Sequence, residues 1–221
     1  MDFERARYNM VEQQIRPWDV LDFKLLDVLG ELPREEFVSE SQKSYAYADT
    51  HLTLPNRSLM LEPKIVARLI QALDLQETDN VLEIGTGSGY AAAIMAKMAR
   101  HVTTLDIDAE QSERAVQNLK RIGIENVTCK VQDGFDTAAY KGETYQAIYV
   151  GAAIHQVPDV LRNILAIGGR LVTVIGEPPV KRAILFTREK DDNFSRKVLF
   201  DTNIPNLVED LHSLRQSSFV F

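Results

Sequence analysis

Apolar and polar positions follow two alternating periods through the middle of the chain. Short runs of apolar and β-branched residues, typical of buried strands, are separated by longer stretches whose apolar positions recur every three or four residues. Strands that alternate with helices predict an α/β fold, a mostly parallel central sheet with helices on both faces. The core strands are predicted at 80–84, 101–106, 127–132, 145–150 and 171–175, and the helices at 63–73, 90–99, 109–122 and 157–166.

The two ends of the chain are patterned differently. Helical periodicity at 2–16 and 20–29 predicts an N-terminal helical extension, and the polar stretch at 39–55 predicts a loop over a site. Strands at 183–188 and 194–200 are predicted to form a closing hairpin. A chain of 221 residues predicts one domain. Its parts are the N-terminal helices and active-site loop, the α/β core and a weakly patterned C-terminal tail, at 1–62, 63–200 and 201–221.

Glycines stand at alternate positions between the first core strand and the helix after it. Gly85, Gly87 and Gly89 follow an apolar run that ends at Ile84, and an Ala-rich helical pattern begins at Tyr90. Glycine lets the backbone approach a ligand closely because it has no Cβ, and the first N–H groups of a helix are available donors. This stretch predicts a nucleotide-type site, with an ordinary strand-to-helix turn as the alternative.

The acid Glu83 indicates which nucleotide binds. Dinucleotide folds carry G-x-G-x-x-G, whereas the third glycine here comes one residue earlier. A carboxylate is a poor neighbour for a pyrophosphate and a good one for S-adenosylmethionine, which carries an ammonium and a sulfonium. Acid-G-x-G-x-G after a first strand resembles motif I of the Rossmann-like class I S-adenosylmethionine-dependent methyltransferases. The motif residues are Glu83, Gly85, Thr86, Gly87, Ser88, Gly89 and Tyr90.

Two further acids end later strands of the predicted sheet. Asp106 lies about 20 residues after Gly85, the spacing of a ribose-hydroxyl acceptor, and Asp108 is the alternative. Asp133, followed by glycine, resembles the acceptor for the adenine amino group in these methyltransferases, and a turn-former is its alternative. The rest of the predicted cofactor site is Ile107 and Gly134.

Composition and charge exclude several classes of protein. The 25 basic and 32 acidic residues give a net charge of −7, which argues against binding of nucleic-acid phosphates. No apolar run approaches the ~18 residues of a membrane span, and the charged N-terminus lacks the features of a signal peptide. One cysteine and four scattered histidines show no disulfide framework or metal-ligand spacing. We expect a cytoplasmic protein without a metal; its oligomeric state is open.

Motifs on both sides of motif I narrow the resemblance. They are Arg7-x-x-Met10-Val11-x-x-Gln14, Pro33-Arg34-x-x-Phe37-Val38, Ala46-Tyr47-Ala48-Asp49, Asn126-Val127, Val150-Gly151-Ala152-Ala153, Val157-Pro158 and Gly168-Gly169-Arg170-Leu171-Val172. Together they resemble the protein-L-isoaspartate O-methyltransferase family. The resemblance implies transfer of a methyl group from S-adenosylmethionine, with S-adenosylhomocysteine as product. The acceptor it implies is the α-carboxylate of isoaspartyl residues in damaged proteins or peptides.

The acceptor side departs from that family. The family holds the carboxylate with a Thr-Ile-Ser-x-Pro segment; its proline matches Pro63, and Leu59 and Leu61 stand at the Thr and Ser positions. Since leucine cannot hydrogen-bond a carboxylate, Ser58 is the candidate catalytic residue and Arg57 a second candidate. For both, a solvated loop residue is the alternative.

This departure leaves the acceptor open. Residues 51–62 are expected to close over the transferable methyl group and to give a pocket more apolar than is usual in the family. An unknown small acceptor is then an alternative to isoaspartyl repair. Another is a cofactor-binding interaction module, for which the apolar end of the tail, Phe219-Val220-Phe221, would be the contact.

Overall fold

The structure is a computed structural model that describes residues 1–140 and 142–208. The prediction for Phe219-Val220-Phe221 lies outside the described residues. The helices are α1 Phe3–Asn9, α2 Phe23–Glu31, α3 Pro63–Ala72, α4 Tyr90–Met98, α5 Ala109–Arg121 and α6 Asp159–Ile164. The strands are β1 Leu52–Thr53, β2 Leu59–Met60, β3 Asn80–Ile84, β4 His101–Asp106, β5 Val127–Val131, β6 Tyr145–Ile154, β7 Leu165–Glu177, β8 Val180–Lys190 and β9 Asn193–Thr202.

Seven of these strands form one sheet, in the order β5-β4-β3-β6-β7-β8-β9. Strands β3 to β7 run parallel to one another, and β8 and β9 add an antiparallel hairpin next to β7 at one edge. The expected mostly parallel, Rossmann-like sheet is confirmed. The strand order reverses direction at β3, between β4 and β6, and ligands bind at the carboxyl ends of the strands at such a point.

Side chains that alternate along the strands build a core on each face of the sheet. Val81 packs with the N-terminal helices, α3 and α4, whereas Leu82 and Ile84 pack on the opposite face with residues of α6. These side chains are buried. Both faces of β3 are therefore covered, which explains why Val81, Leu82 and Ile84 are apolar on both sides of the strand.

Several elements differ from their predicted bounds. The predicted first helix is interrupted: α1 is followed by a π-helical turn at Met10–Ile15 and a 3-10 turn at Arg16–Trp18. The second helix starts only at Phe23, because the Asp22 side chain caps it. Strand β7 runs through Gly168 and Gly169, predicted as a turn, and an irregularity in its pairing with β6 takes up those residues.

Candidate functional site

A cavity of about 250 Å³ opens at the carboxyl ends of the central strands. It contains most of the predicted cofactor site together with the predicted active-site loop. Its lining comprises Asn56, Arg57, Ser58, Leu59, Leu61, Ile84, Gly85, Gly87, Leu105, Asp106, Ile107, Asp108, Gln132, Asp133, Gly134, Phe135, Gly151, Ala152, Pro205, Asn206, Leu207 and Val208. A narrower recess of about 40 Å³ lies beside it, with Glu83, Thr86, Ser88 and Tyr90 in its wall.

The glycine turn brings backbone to the floor of this cavity. Gly85, Gly87 and Gly89 have φ angles of 89°, 51° and 84°, a left-handed conformation that glycine adopts without steric cost. A Cβ on Gly87 would lie 3.4 Å from Leu54 of the overlying loop. Gly89 faces elsewhere, since its Cβ would meet Ala115 at 3.3 Å. Gly89 therefore serves the packing of α4 on α5 and does not line the cavity.

The carboxyl group of Glu83 is buried beneath the turn. Its Oε2 accepts a hydrogen bond from Thr104 Oγ1 at 2.5 Å, and Thr104 is also bonded to Thr86 at 2.7 Å. Glu83 Oε1 has no hydrogen-bond partner among the described residues. Burial raises the pKa of Glu83 to about 8, against a weaker lowering by the Thr104 bond. An unpaired buried acid at this position is suited to a cationic group.

Asp106 and Asp108 prove to have different surroundings. Asp106 accepts from the backbone N–H of Gly87 at 3.1 Å and of Asp108 at 3.0 Å, one bond on each carboxylate oxygen. Burial raises its pKa, and these bonds oppose the change. Asp108 caps α5, accepting from the backbone of Glu110 and Gln111. Each oxygen of Asp106 retains a lone pair for a ligand. Asp106 is bonded to the glycine turn through Gly87, whereas Asp108 is bonded to the first turn of α5 through its Oδ1.

Asp133 and Gly134 close the far side of the cavity. Asp133 Oδ1 accepts from the backbone N–H of Phe135 at 2.8 Å, so the residue is a turn-former and a lining residue at once. A Cβ on Gly134 would lie 2.7 Å from Ile84 Cγ2. Only glycine fits there without displacing Ile84 from the floor.

The loop before α3 is a small hairpin, β1 and β2, that lies over the glycine turn. The backbone N–H of Leu54 donates to Ser58 O and that of Arg57 to Leu54 O, both at 2.8 Å. The Ser58 hydroxyl lines the cavity, and it donates to Asn56 Oδ1 at 2.6 Å. Arg57 is exposed at the hairpin tip, and Leu61 is buried where the hairpin leads into α3.

Comparison with known proteins gives a consistent result. Residues 5–210 match the family Protein-L-isoaspartate(D-aspartate) O-methyltransferase (PCMT). A Geobacter metallireducens protein-L-isoaspartate O-methyltransferase is 37% identical over 209 residues, covering 94% of this chain and 96% of the relative. One from Rhodopseudomonas palustris is 38% identical, covering 90% of this chain and 91% of the relative. The chain belongs to the protein-L-isoaspartate O-methyltransferase family.

Solved structures agree on the fold. A Plasmodium falciparum structure described as a protein-L-isoaspartate O-methyltransferase in complex with S-adenosyl-L-homocysteine aligns with a TM-score of 0.79 at 19% identity, over 95% of this chain and all of the other. A second structure named protein-L-isoaspartate O-methyltransferase aligns with a TM-score of 0.78 at 27% identity, over 94% of this chain and 66% of the other. Both confirm the methyltransferase architecture.

The N-terminal motifs of the family meet around one fully buried arginine. Arg34 donates to the carbonyl oxygens of Ala46 at 2.8 Å and Leu61 at 2.7 Å. Its guanidinium lies 4.5 Å from the ring centroid of Tyr90, at the start of α4. Tyr47 hydrogen-bonds to Glu35 in the same cluster. Arg34 thus ties the loop that bears Leu61 to the helix that follows motif I.

Sequence reasoning missed two features of the site. The sequence places Arg34 in a family motif but gives it no role, because its hydrogen-bond partners are 12 and 27 residues away. Pro205, Asn206, Leu207 and Val208, assigned to the tail, line the cavity. No local sequence pattern predicts the bonds of Arg34 or the position of residues 205–208 at the cavity. The sequence Pro33-Arg34-Glu35-Glu36, a single arginine between a proline and two acids, is the one local hint that Arg34 has a special role.

Other functional classes find no support in the described part of the chain. No group of three or more His, Cys, Asp or Glu side chains there could hold a metal ion. None of the described helices is long and apolar enough to cross a membrane. Burial raises the pKa of the Cys129 thiol to about 11, so this thiol is not activated as a nucleophile.

Proposed function

We propose that the protein transfers a methyl group from S-adenosylmethionine to the carboxylate of isoaspartyl residues in proteins or peptides. The observation that carries the cofactor assignment is Glu83: a buried carboxyl group with one unpartnered oxygen beneath a glycine turn. The family supplies the acceptor class, because relatives that carry this name match almost the whole chain.

The residues present fit the cofactor. Glu83 would face its ammonium group, and the glycine turn leaves space that a Cβ would fill at Gly87. Asp106 would accept from the ribose hydroxyls, and Asp133 from the adenine amino group. Thr86, Ser88, Tyr90, Ile107 and Gly134 would complete the walls, whereas Gly89 acts through packing. Neutral or anionic dinucleotides would meet the Glu83 carboxyl group without a cation to pair with it.

Methyl transfer to a carboxylate does not require a catalytic acid or base from the protein. When bound, the cofactor supplies an electrophilic methyl group on a sulfonium. A carboxylate acceptor has a pKa near 4, so it is ionised at neutral pH and needs no general base. The chain has to hold the acceptor in line with the methyl and to keep water away, and positioning of this kind can account for several kcal/mol of a barrier.

The acceptor wall limits the rate of this reaction. Leu59 and Leu61 replace the hydroxyl-bearing residues of the family, and an unpaired carboxylate is costly to bury against them. Arg57 and the Ser58 hydroxyl are the lining groups of the hairpin that could pair with it. Ser58 already donates to Asn56, so it must give up that bond to serve. We therefore expect weak turnover of isoaspartyl peptides.

Methanol release from an isoaspartyl peptide, after verified binding of S-adenosylhomocysteine, tests this proposal, because the methyl ester is labile. Leu61→Ser should raise kcat/KM by about 10- to 100-fold, the value of one hydrogen bond to a charged group. Leu61→Ala is the matched control, since it removes the same bulk without adding a hydroxyl. Equal gains in both variants, or a wild type as fast as a serine-bearing relative, would show that position 61 does not limit the reaction.

The same leucine favours a second candidate, a relative that methylates a different small acceptor or binds the cofactor only. Tight cofactor binding with no methanol release from either wild type or Leu61→Ser would favour it. A stable complex with a partner protein, unaffected by isoaspartyl peptide, would single out the interaction module.

A further inference from the structure

The chain returns to the cofactor cavity after the last strand of the sheet. The backbone N–H of Ala153, near the end of β6, donates to Pro205 O at 2.8 Å, and that of Leu207 donates to Ala153 O at 2.7 Å. Ala153 and Asn206 form an isolated parallel bridge. Residues 204–208, here called the C-terminal wall, are thereby held along the edge of the cavity.

The side chains of the C-terminal wall reach the glycine turn. Leu207 Cδ1 lies 3.5 Å from the position that a Cβ on Gly85 would occupy. Leu207 also packs against the apolar cluster that contains Ile84 and Leu105. Gly85, Ile84, Leu105 and Leu207 line the same cavity. A ligand seated on the turn would therefore have Leu207 beside it.

A buried ammonium group holds the C-terminal wall. Lys181, at the start of β8, is only 3% exposed. Its Nζ donates to Ile204 O and to Asn206 Oδ1, each at 2.7 Å. No carboxylate among the described residues lies within salt-bridge distance of it. A buried ammonium needs hydrogen-bond acceptors. The two acceptors that Lys181 has among the described residues both belong to the wall, so Lys181 helps to fix the position of this segment.

We propose that Lys181 is a positioning residue for cofactor binding: it fixes residues 204–208 as a wall of the cavity, and Leu207 of that wall contacts the cofactor. This inference rests on the proposed cofactor and is independent of the acceptor. It assigns a binding role to a segment that the sequence pattern leaves as a tail.

Calorimetry with S-adenosylhomocysteine, with no acceptor present, tests the inference on the full chain. Lys181→Met keeps an unbranched side chain and removes the ammonium; it should raise the dissociation constant on the order of tenfold, the effect of losing hydrogen bonds to a charged group. Leu207→Ala should raise it about five- to tenfold through lost apolar contact. Lys197→Met, at an exposed position of β9, is the matched control and should bind as the wild type does.

The double variant separates positioning from general stability. If Lys181 acts through the wall, Lys181→Met and Leu207→Ala will be non-additive, and the double variant will bind about as weakly as Lys181→Met alone. Stopped-flow measurement should place the change in the dissociation rate. If the two losses of affinity add in the double variant, Lys181 acts independently of Leu207, for example through general stability, and the positioning role is overturned.

The single variant Leu207→Ala and the wild type provide further tests of the inference. Leu207 is only partly buried, so Leu207→Ala folds even if Lys181→Met does not, and wild-type affinity in Leu207→Ala overturns the inference by itself. Tighter binding in either variant would mean that the segment obstructs the cavity, which also overturns it. A wild type that fails to bind S-adenosylhomocysteine overturns the proposed function, whereas normal wild-type binding with unaffected variants overturns only this inference.

Discussion

Replacing Glu83 by Gln should make the protein more stable at alkaline pH and weaken its hold on the cofactor. The folded-state pKa of Glu83 is raised to about 8 from 4.5 by burial. The native state therefore keeps a proton that the unfolded chain has lost over this interval. The free energy of unfolding must then fall as pH rises from about 4.5 to about 8, by up to about 1.4 kcal/mol per pH unit.

The variant isolates this contribution because glutamine has the same shape and does not titrate. Between pH 5.5 and 8.5 the stability of the wild type relative to Glu83→Gln should fall by about 3 kcal/mol. Other titrating groups cancel in the comparison. Urea unfolding followed by circular dichroism at three pH values gives the difference directly. A difference that stays constant across the range would refute a raised pKa at Glu83.

The affinity for the cofactor should depend on the same protonation of Glu83. A cationic ligand favours the ionised carboxylate, so binding releases the proton and affinity should rise towards pH 8, by as much as tenfold per pH unit. Glu83→Gln should remove this dependence and weaken binding of S-adenosylhomocysteine. Adenosine, which lacks the ammonium, is the control ligand and should bind both proteins alike at every pH. Equal loss of adenosine affinity in the variant would mean that Glu83 shapes the pocket and does not pair with a cation.

Two further predictions concern residues whose surroundings the structure distinguishes. Asp106→Ala should weaken binding of S-adenosylhomocysteine by about 1–3 kcal/mol, measured by calorimetry. Asp108→Ala should mainly lower the free energy of unfolding, by about 0.5–2 kcal/mol in urea, through loss of the α5 cap. Weaker binding in Asp108→Ala with unchanged binding in Asp106→Ala would contradict this assignment. Arg34→Met should lower the free energy of unfolding by about 2–5 kcal/mol, because the carbonyls of Ala46 and Leu61 lose their buried donor. Unchanged urea midpoints for Arg34→Met would count against it.

The geometry of the glycine turn and of the strands beside it was predictable because these residues are close together in the sequence. Glu83 to Tyr90 is one strand-turn-helix passage, and the spacing from Gly85 to Asp106 is one further helix and strand. Strands β3 and β4 were predicted at their observed bounds, since each is a short buried stretch rich in apolar and β-branched residues that ends before a turn. A sequence pattern predicts the geometry of a site where the residues that form the site are close together in the sequence.

The pattern does not report which way each residue of a motif points. Gly89 has the positive φ that its motif predicts, yet its missing Cβ faces Ala115 and Leu119 of α5. A glycine spacing specifies backbone conformation, and the packing of α5 decides which of these glycines line the cavity. Asp106 and Asp108 show the same limit, because their hydrogen-bond partners distinguish them and their spacing does not.

The C-terminal wall escaped prediction for a different reason. Ile204 is buried and Leu207 is partly buried, whereas Pro205 and Asn206 between them are exposed. A stretch this short is not enough to establish a period, and the segment is held by Ala153 and Lys181 and belongs to no regular element. Periodicity detects only segments whose burial repeats.

The way position 61 is held explains how a member of this family can carry leucine there. The residue has two separate attachments: its carbonyl oxygen accepts from Arg34, and its side chain faces the cavity. Arg34 holds the backbone whatever side chain is present, and its own position depends on Ala46 and Tyr90. A change of the side chain at position 61 therefore alters the wall of the cavity and leaves the bond between Arg34 and the backbone in place. If residue 61 faces the acceptor as proposed, acceptor preference can change there while Glu83 and Asp106, on the proposed cofactor side, stay the same.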